Sequence, residues 1–349
     1  MRIAITADPY LPVPPRLYGG IERVIDFLVR GLVDRGHEVT LFAHPDSRTG
    51  GTLLPYGSPP HWGPWHRSVE LAQVGARLWH RRAEFEVIHS FGRLAALLPV
   101  LPVRRLAKVQ SYQRDEVPWR GVRMAVRLAG ESIRFTGCSA SVYRERPRQG
   151  PGGGRWETVF NGVEVAKYTL VQDVPVDAPL AFLGRLEPCK GAHHAIAIAR
   201  AAKRRLVIAG NRVEAGAAAD YFKREIEPKL DGELVQYVGP VDDTRKDALL
   251  GSAAALLMPV EWEEPFGIVM AEALACGTPV IGFARGSIPE IVRNGFNGYA
   301  CRTVEEAVDA VSRLDQIDRA KVRWDCEARF GDGAIVDGYE DLYRELVRT

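Results

Sequence analysis

Two carboxylates, Glu264 and Glu272, lie in the run EPFGIVMAEALACGTPV from Glu264 to Val280. Pro265 suits the start of a helix and Gly277 its end, so the spacing predicts a helix opening near Gly267. Glu264 then sits just before that helix and Glu272 within it. Along a regular helix this separation spans about 12 Å and about 80° of azimuth. The pair can therefore address different parts of one elongated ligand. Backbone N–H groups of Gly267, Ile268 and Val269 would be helix-start donors, suited to an anion, and Gly267 lets a ligand approach the backbone closely. The plainer alternative is a capping carboxylate plus one solvated glutamate.

A second constellation, Gly184-Arg185 and Lys190-Gly191, follows the apolar run Ala181–Leu183. Open α/β sheets bind ligands at the carboxyl ends of their strands. There a guanidinium fork and a compact ammonium can hold one diphosphate; a solvated basic loop is the alternative. Tyr18-Gly19-Gly20 opens a helix-period segment, where a glycine pair can cradle phosphate, although GxGxxG is not met. Cys189 adjoins Lys190, which can lower a thiol pKa; an incidental loop cysteine is the alternative. His193 and His194 are not read as a metal site, since neighbours on a helix diverge by about 100° and no third ligand is evident. The aromatic run His61-Trp62-Gly63-Pro64-Trp65-His66 reads either as an acceptor platform or as a loop anchor.

The elements that must position these residues follow from periodicity. Arg2–Ala7 reads as a strand. Ile21, Val24, Ile25, Leu28 and Leu32 then keep helix spacing. Further strands are expected at Glu38–Ala43, Phe85–His89, Ala107–Ser111 and Ile133–Cys138. After the Gly/Pro-rich loop 147–154, a short strand at Glu157–Phe160 leads to Asn161-Gly162. A second series runs through Ala181–Leu183, Leu206–Ala209, Leu234–Val238, Ala255–Met258 and Val280–Phe283. Such alternation implies parallel sheets covered by helices on both faces. Ala334–Val347 closes the chain as an amphipathic helix.

The 349 residues suit two domains. A composition of 46% hydrophobic and 26% charged residues excludes a disordered chain or a disulfide miniprotein. The net charge of +2 does not suit a nucleic-acid binder. Residues 1–164 nevertheless carry 23 Lys/Arg and 15 Asp/Glu, a net of +8. That imbalance favours an anionic acceptor or weak peripheral membrane contact, the latter through Val69–Arg82, for which a core-facing helix with a solvated basic face is the preferred alternative. The five cysteines, with no CxxC pair, fit a reduced cytoplasmic setting.

Taken in chain order, the glycine loop, GRxxxxKG and the paired glutamates resemble the family 4 retaining glycosyltransferases. The most specific stretch is EPFGIVMAEALACGTPVIGFARGSIPEIV, supported by Val159-Phe160-Asn161-Gly162-Val163. The resemblance implies an α/β GT-B fold, two Rossmann-like domains facing a cleft. Residues 1–165 would bind the acceptor, 166–333 would bind the nucleotide sugar, and 334–349 would cross back as a helix onto the first domain. The implied activity is retaining transfer of a sugar from a nucleoside diphosphate, UDP before GDP or ADP, to a saccharide, lipid-linked or small-molecule acceptor. Arg185 and Lys190 would hold the diphosphate, with Gly19 and Gly20 supplying a backbone amide. Glu264 would receive sugar hydroxyls, Glu272 the ribose, and Gly267, Ile268 and Val269 sugar or phosphate. The backbone near Gly239 and Val241 would meet the base. No cofactor or metal is implied, in keeping with the absence of an Asp-x-Asp triplet. One position departs from the family: where it often carries H-x-H, this chain has His89-Ser90-Phe91. A nucleotide-sugar epimerase, a phosphorylase and a catalytically silent nucleotide-sugar-binding partner are the competing readings.

Overall fold

A computed structural model describes residues 1–15, 19–57, 64–114, 116–144, 153–213 and 215–348. Tyr18, the side chains of the aromatic run 61–66 and most of the loop 147–154 fall outside them. The chain forms two compact units, one made of Met1–Asn161 with Asp332–Thr349, the other of Gly162–Gly331.

The first unit holds a parallel sheet of β1 (Arg2–Thr6), β2 (Glu38–Ala43), β3 (Thr52–Pro55), β4 (Val87–Ser90), β5 (Ala107–Tyr112), β6 (Ile133–Gly137) and β7 (Trp156–Thr158). Its order is β3-β2-β1-β4-β5-β6-β7, so the direction of winding reverses between β1 and β4. Helices α1 (Gly20–Asp34), α2 (Pro64–Arg81) and α3 (Trp119–Ala129) lie in its connections. Every residue of β4, β5 and β6 is buried, as expected of parallel strands covered on both faces. Buried polar groups there find partners: Lys108 donates to the carbonyls of Leu101 and Val103 at 3.2 and 2.8 Å.

The second unit holds β8 (Leu180–Leu183), β9 (Leu206–Ala209), β10 (Val235–Tyr237), β11 (Ala255–Met258), β12 (Val280–Phe283) and β13 (Gly298–Cys301). The order β10-β9-β8-β11-β12-β13 reverses between β8 and β11. Its helices are α4 (Ala192–Ala201), α5 (Ala217–Tyr221), α6 (Asp243–Ser252), α7 (Ile268–Ala275), α8 (Ile288–Ile291), α9 (Val304–Val311) and α10 (Arg319–Phe330). The last helix, α11 (Asp332–Arg348), packs on α1 and β5 of the first unit. Gly31 of α1 allows that approach, since a Cβ there would lie 2.6 Å from a methyl of Val336. Glu340 of α11 is 6% exposed and receives Arg35 at 2.6 Å and His37 at 2.9 Å.

The sequence missed two strands, β3 and β13. Both are sheet edges and lack the long apolar run that burial on both faces demands. The division at Asn161/Gly162 lies a few residues before the expected 165, because Val163 pairs with Gly331, its N–H donating to the Phe330 carbonyl at 2.9 Å. No helix among the described residues is long and apolar enough to cross a membrane.

Candidate active site

The residues singled out in the second half of the chain gather along the carboxyl edge of the second sheet. Arg185 follows β8 and Lys190 ends the loop before α4. Glu264 follows β11, and Gly239 and Val241 follow β10. Lys190 and Glu264 thus meet at the switch between β8 and β11, where open α/β sheets leave a crevice, and Arg185 lies on the loop after β8.

Backbone chemistry brings the loops together. Gly191 adopts φ 75°, and a Cβ there would lie 1.9 Å from the Pro259 carbonyl oxygen. Only glycine lets the Lys190 loop press so closely on the strand-end loop of β11. The Glu261 N–H donates to the Cys189 carbonyl at 2.8 Å. From the other side, Gly286 packs its Cα against the Glu264 backbone, and the Ser287 N–H donates to the Glu264 carbonyl at 2.8 Å.

Within this frame Lys190 Nζ lies 2.6 Å from Glu264 Oε2. Trp262 Nε1 donates to the same oxygen at 3.1 Å, and its ring faces the Lys190 ammonium, 4.6 Å from the centroid. Glu264 is 5% exposed. It is therefore a held, paired carboxylate rather than a helix cap; the N-cap of α7 is Gly267, φ 69°, with no capping side chain. Arg185 is half-exposed and pairs with Glu187 at 2.7 Å. Glu272, inside α7 and 8% exposed, is not solvated. Its Oε1 receives Tyr168 Oη at 2.8 Å and Lys246 Nζ at 2.5 Å. Trp262, Tyr168 and Lys246 were not singled out in the sequence, because each lies far from its partner's motif or carries no motif of its own.

Gly19 and Gly20 stand at the start of α1 in the first unit, with Gly19 at φ 154° as N-cap. A Cβ on Gly19 would meet Pro15 at 2.7 Å and Glu22 Oε2 at 2.8 Å. In the same unit His89 is wholly buried. Its Nδ1 pairs with Tyr343 Oη at 2.5 Å and its Nε2 with Ser111 Oγ at 2.6 Å. Phe91, at the departure from H-x-H, is 7% exposed and packs its ring 4.2 Å from that of His89. Both belong to the core that anchors α11.

One open alternative is decided and one sequence expectation needs correction. The Cys189 thiol is pushed up, by burial first and then by Glu187; Lys190 and Arg185 pull the other way and are outweighed. His193 and His194 do have a third acidic neighbour. Glu261 Oε1 lies 3.0 Å from His194 Nε2 and 3.8 Å from His193 Nε2. The imidazole rings lie close, with centroids 4.0 Å apart and planes tilted by 38°. One ring nitrogen of each histidine and a Glu261 oxygen lie within 4.8 Å of one another, close enough to hold a metal ion, so the expectation that no third ligand is present does not hold.

Comparison with known proteins gives the arrangement its context. The family model "Glycosyl transferases group 1" matches residues 177–329, and "Glycosyltransferase Family 4" matches residues 18–167. A glycogen synthase of Mycobacterium tuberculosis is 34% identical over 348 residues, covering 86% of this chain and 82% of the relative. The chain belongs to glycosyltransferase family 4. A D-inositol 3-phosphate glycosyltransferase of Mycobacterium bovis is 32% identical over 166 residues, covering 45% of this family 4 chain and 34% of the relative. Among solved structures, AviGT4, a glycosyltransferase involved in avilamycin A biosynthesis, superposes with a TM-score of 0.69 at 25% identity, over 99% of this chain and 98% of its own. Sucrose-phosphate synthase from Thermosynechococcus elongatus has a TM-score of 0.77 at 20% identity, over 99% of both chains. The fold is the GT-B fold of these glycosyltransferases, and the activity is transfer of a glycosyl group from a nucleotide sugar.

Proposed function

We propose that this enzyme moves a sugar, with retention at the anomeric carbon, from a nucleoside diphosphate bound on the second unit to an acceptor bound on the first. The observation that carries the reading is the meeting of Lys190 and Glu264 at the β8/β11 switch, on whose β8 loop Arg185 also lies. Lys190 and Arg185 hold the diphosphate and stabilise the charge that grows on it as the glycosidic bond breaks. Trp262 and Lys190 occupy Oε2 of Glu264, and we assign its Oε1 to hydroxyls of the transferred sugar. Tyr168 and Lys246 likewise occupy Oε1 of Glu272, and we assign its Oε2 to the ribose. Backbone N–H groups of Gly267, Ile268 and Val269 serve sugar or phosphate. Gly239 and Val241 meet the base, and Gly19 and Gly20 add an amide from the first unit. No step needs a metal.

UDP is put first among donors. The HepE protein of Anabaena, of the same fold, is described in complex with UDP and glucose, while a starch synthase is described with ADP and acarbose. The acceptor is a saccharide, a lipid-linked molecule or a small molecule. An epimerase, a phosphorylase or a silent binding partner is not favoured, because the named relatives are synthases and glycosyltransferases. Thermal unfolding with UDP-, GDP- and ADP-sugars tests the donor. At a hundred times its dissociation constant the true donor should stabilise by about 2.7 kcal/mol, with binding and turnover unchanged by a chelator. No shift with any of them overturns the assignment.

Weak peripheral contact with anionic lipid, expected through Val69–Arg82, finds its support on α3 instead. Its exposed stripe sets Arg120, Arg123 and Arg127 beside Met124 and Leu128, which are 45% and 39% exposed. Cosedimentation should be greater with anionic than with neutral vesicles and should fall with salt; equal sedimentation removes the idea.

A further inference from the structure

Among the described residues, one group of histidine, cysteine and acidic side chains brings three donor atoms within 4.8 Å of one another, and it is His193, His194 and Glu261. Three elements of the second unit supply this cluster and its support. His193 and His194 lie in the first turn of α4, Glu261 follows β11, and Tyr221 ends α5. The backbone joins the two loops through the Glu261 N–H and the Cys189 carbonyl, so the side chains are brought together by more than their own contacts.

The distances suit a transition-metal ion. Zinc lies about 2.0–2.2 Å from imidazole nitrogen and carboxylate oxygen, which sets tetrahedral donors about 3.4 Å apart. The separations from Glu261 Oε1, 3.0 Å to His194 Nε2 and 3.8 Å to His193 Nε2, fall on either side of that spacing. The side chains of His193, His194 and Glu261 are 22%, 27% and 43% exposed, so an ion reaches them from solvent.

The support around the cluster is a second, independent observation. A ligating imidazole is oriented by a hydrogen bond at its other nitrogen. His193 Nδ1 lies 2.8 Å from Tyr221 Oη, and the same oxygen accepts the His193 backbone N–H at 3.1 Å. Tyr221 thus fixes both the ring and the helix start that carries it. The Phe283 ring meets His194 edge-on, with centroids 5.3 Å apart, and limits its swing. Arg285 donates to the Glu261 backbone carbonyl at 2.9 Å rather than to its carboxylate.

We propose that His193, His194 and Glu261 form a structural site for one divalent transition-metal ion of the zinc class, with water completing its coordination, and that the ion fastens α4 and the Lys190 loop to the loop after β11. Two imidazoles and a single carboxylate select such ions over magnesium and calcium, which take oxygen donors. Binding requires His194 as its Nδ1–H tautomer, with the Nε2 lone pair on the metal in place of the hydrogen bond to Glu261. Lys190 and Glu264 stand outside the ligand set, so glycosyl transfer does not require the ion.

The test uses the full chain without an affinity tag, stripped of metal by a chelator that is then dialysed away. Calorimetric titration should give one zinc per chain and no comparable binding of magnesium, and saturating zinc should raise the thermal midpoint by several degrees. His194→Ala and Glu261→Gln should each weaken zinc at least tenfold. Tyr221→Phe keeps the packing but removes the anchoring oxygen, and should weaken zinc by about ten- to a hundredfold. Circular dichroism checks each variant, and one that fails to fold is read through the other two. Unchanged zinc affinity in folded His194→Ala and Glu261→Gln, equal affinity for magnesium, or no bound zinc overturns the inference. Each of these results leaves the donor assignment to Lys190 and Glu264 untouched.

Discussion

Replacing Lys190 by alanine is expected to lower kcat by about tenfold to a few hundredfold and to weaken donor binding as well. A hydrogen bond to a charged group contributes about 1.5–3 kcal/mol, and each 1.4 kcal/mol or so is a factor of ten in rate. Negative charge grows on the diphosphate as the glycosidic bond breaks, so the contact tightens in the transition state and its loss reaches kcat. The structure ranks the two cations. The Lys190 side chain is 17% exposed and fixed by Glu264 and Trp262, whereas that of Arg185 is 48% exposed and paired only locally with Glu187. Arg185→Ala should therefore follow in the same direction with a smaller loss. Arg185→Lys should also lose activity, because a planar fork is replaced by a point charge. Glu272→Gln should act mainly on nucleotide affinity, since ribose hydroxyls change little during transfer. Steady-state kinetics of the four variants check this, and wild-type kcat and KM in both alanine variants would show the diphosphate assignment to be wrong.

Acid should weaken the first unit well before carboxylates titrate. Burial pushes the His89 imidazole down from 6.5 to about 3, with hydroxyls rather than a carboxylate at both ring nitrogens. The unfolded chain binds the proton near 6.5 and the folded chain only near 3. Between those values the unfolded state carries more protons, so stability is full above about 6.5 and falls as pH drops towards 3. At about 1.4 kcal/mol per unit, lowering the pH from 6.5 to 5 should remove about 2 kcal/mol. Urea unfolding of wild type and His89→Gln over that range measures the effect, and the variant should lose the part of the slope that His89 supplies. Parallel slopes would mean that the imidazole is not held neutral. The same burial keeps His89 from the reacting atoms, and Phe91 beside it supplies no hydrogen bond.

Much of this was legible in the sequence, for definite reasons. Strands covered on both faces tend to form unbroken apolar runs, and Leu206–Ala209, Ala255–Met258 and Val280–Phe283 were read with the bounds the structure gives. The edges β3 and β13 face weaker demands and left no such trace. Glycine marked the tight approaches: Gly191 and Gly267 both hold positive φ where loops crowd the site. The partners of the key side chains were hidden, because Lys190–Glu264 and Lys246–Glu272 join residues 74 and 26 positions apart, and no local period links them.

By itself the sequence determined the two α/β units, the family and the loops on which the cations and carboxylates ride, because burial periodicity and strand-end motifs are local properties. Tertiary structure alone decided which charges meet. It turned a solvated-glutamate alternative into two held carboxylates and made His89 a buried neutral strut for the last helix. The physical reason is that net charge and spacing are summed along the chain, whereas electrostatic fields and hydrogen bonds act over a few ångströms between strands distant in sequence.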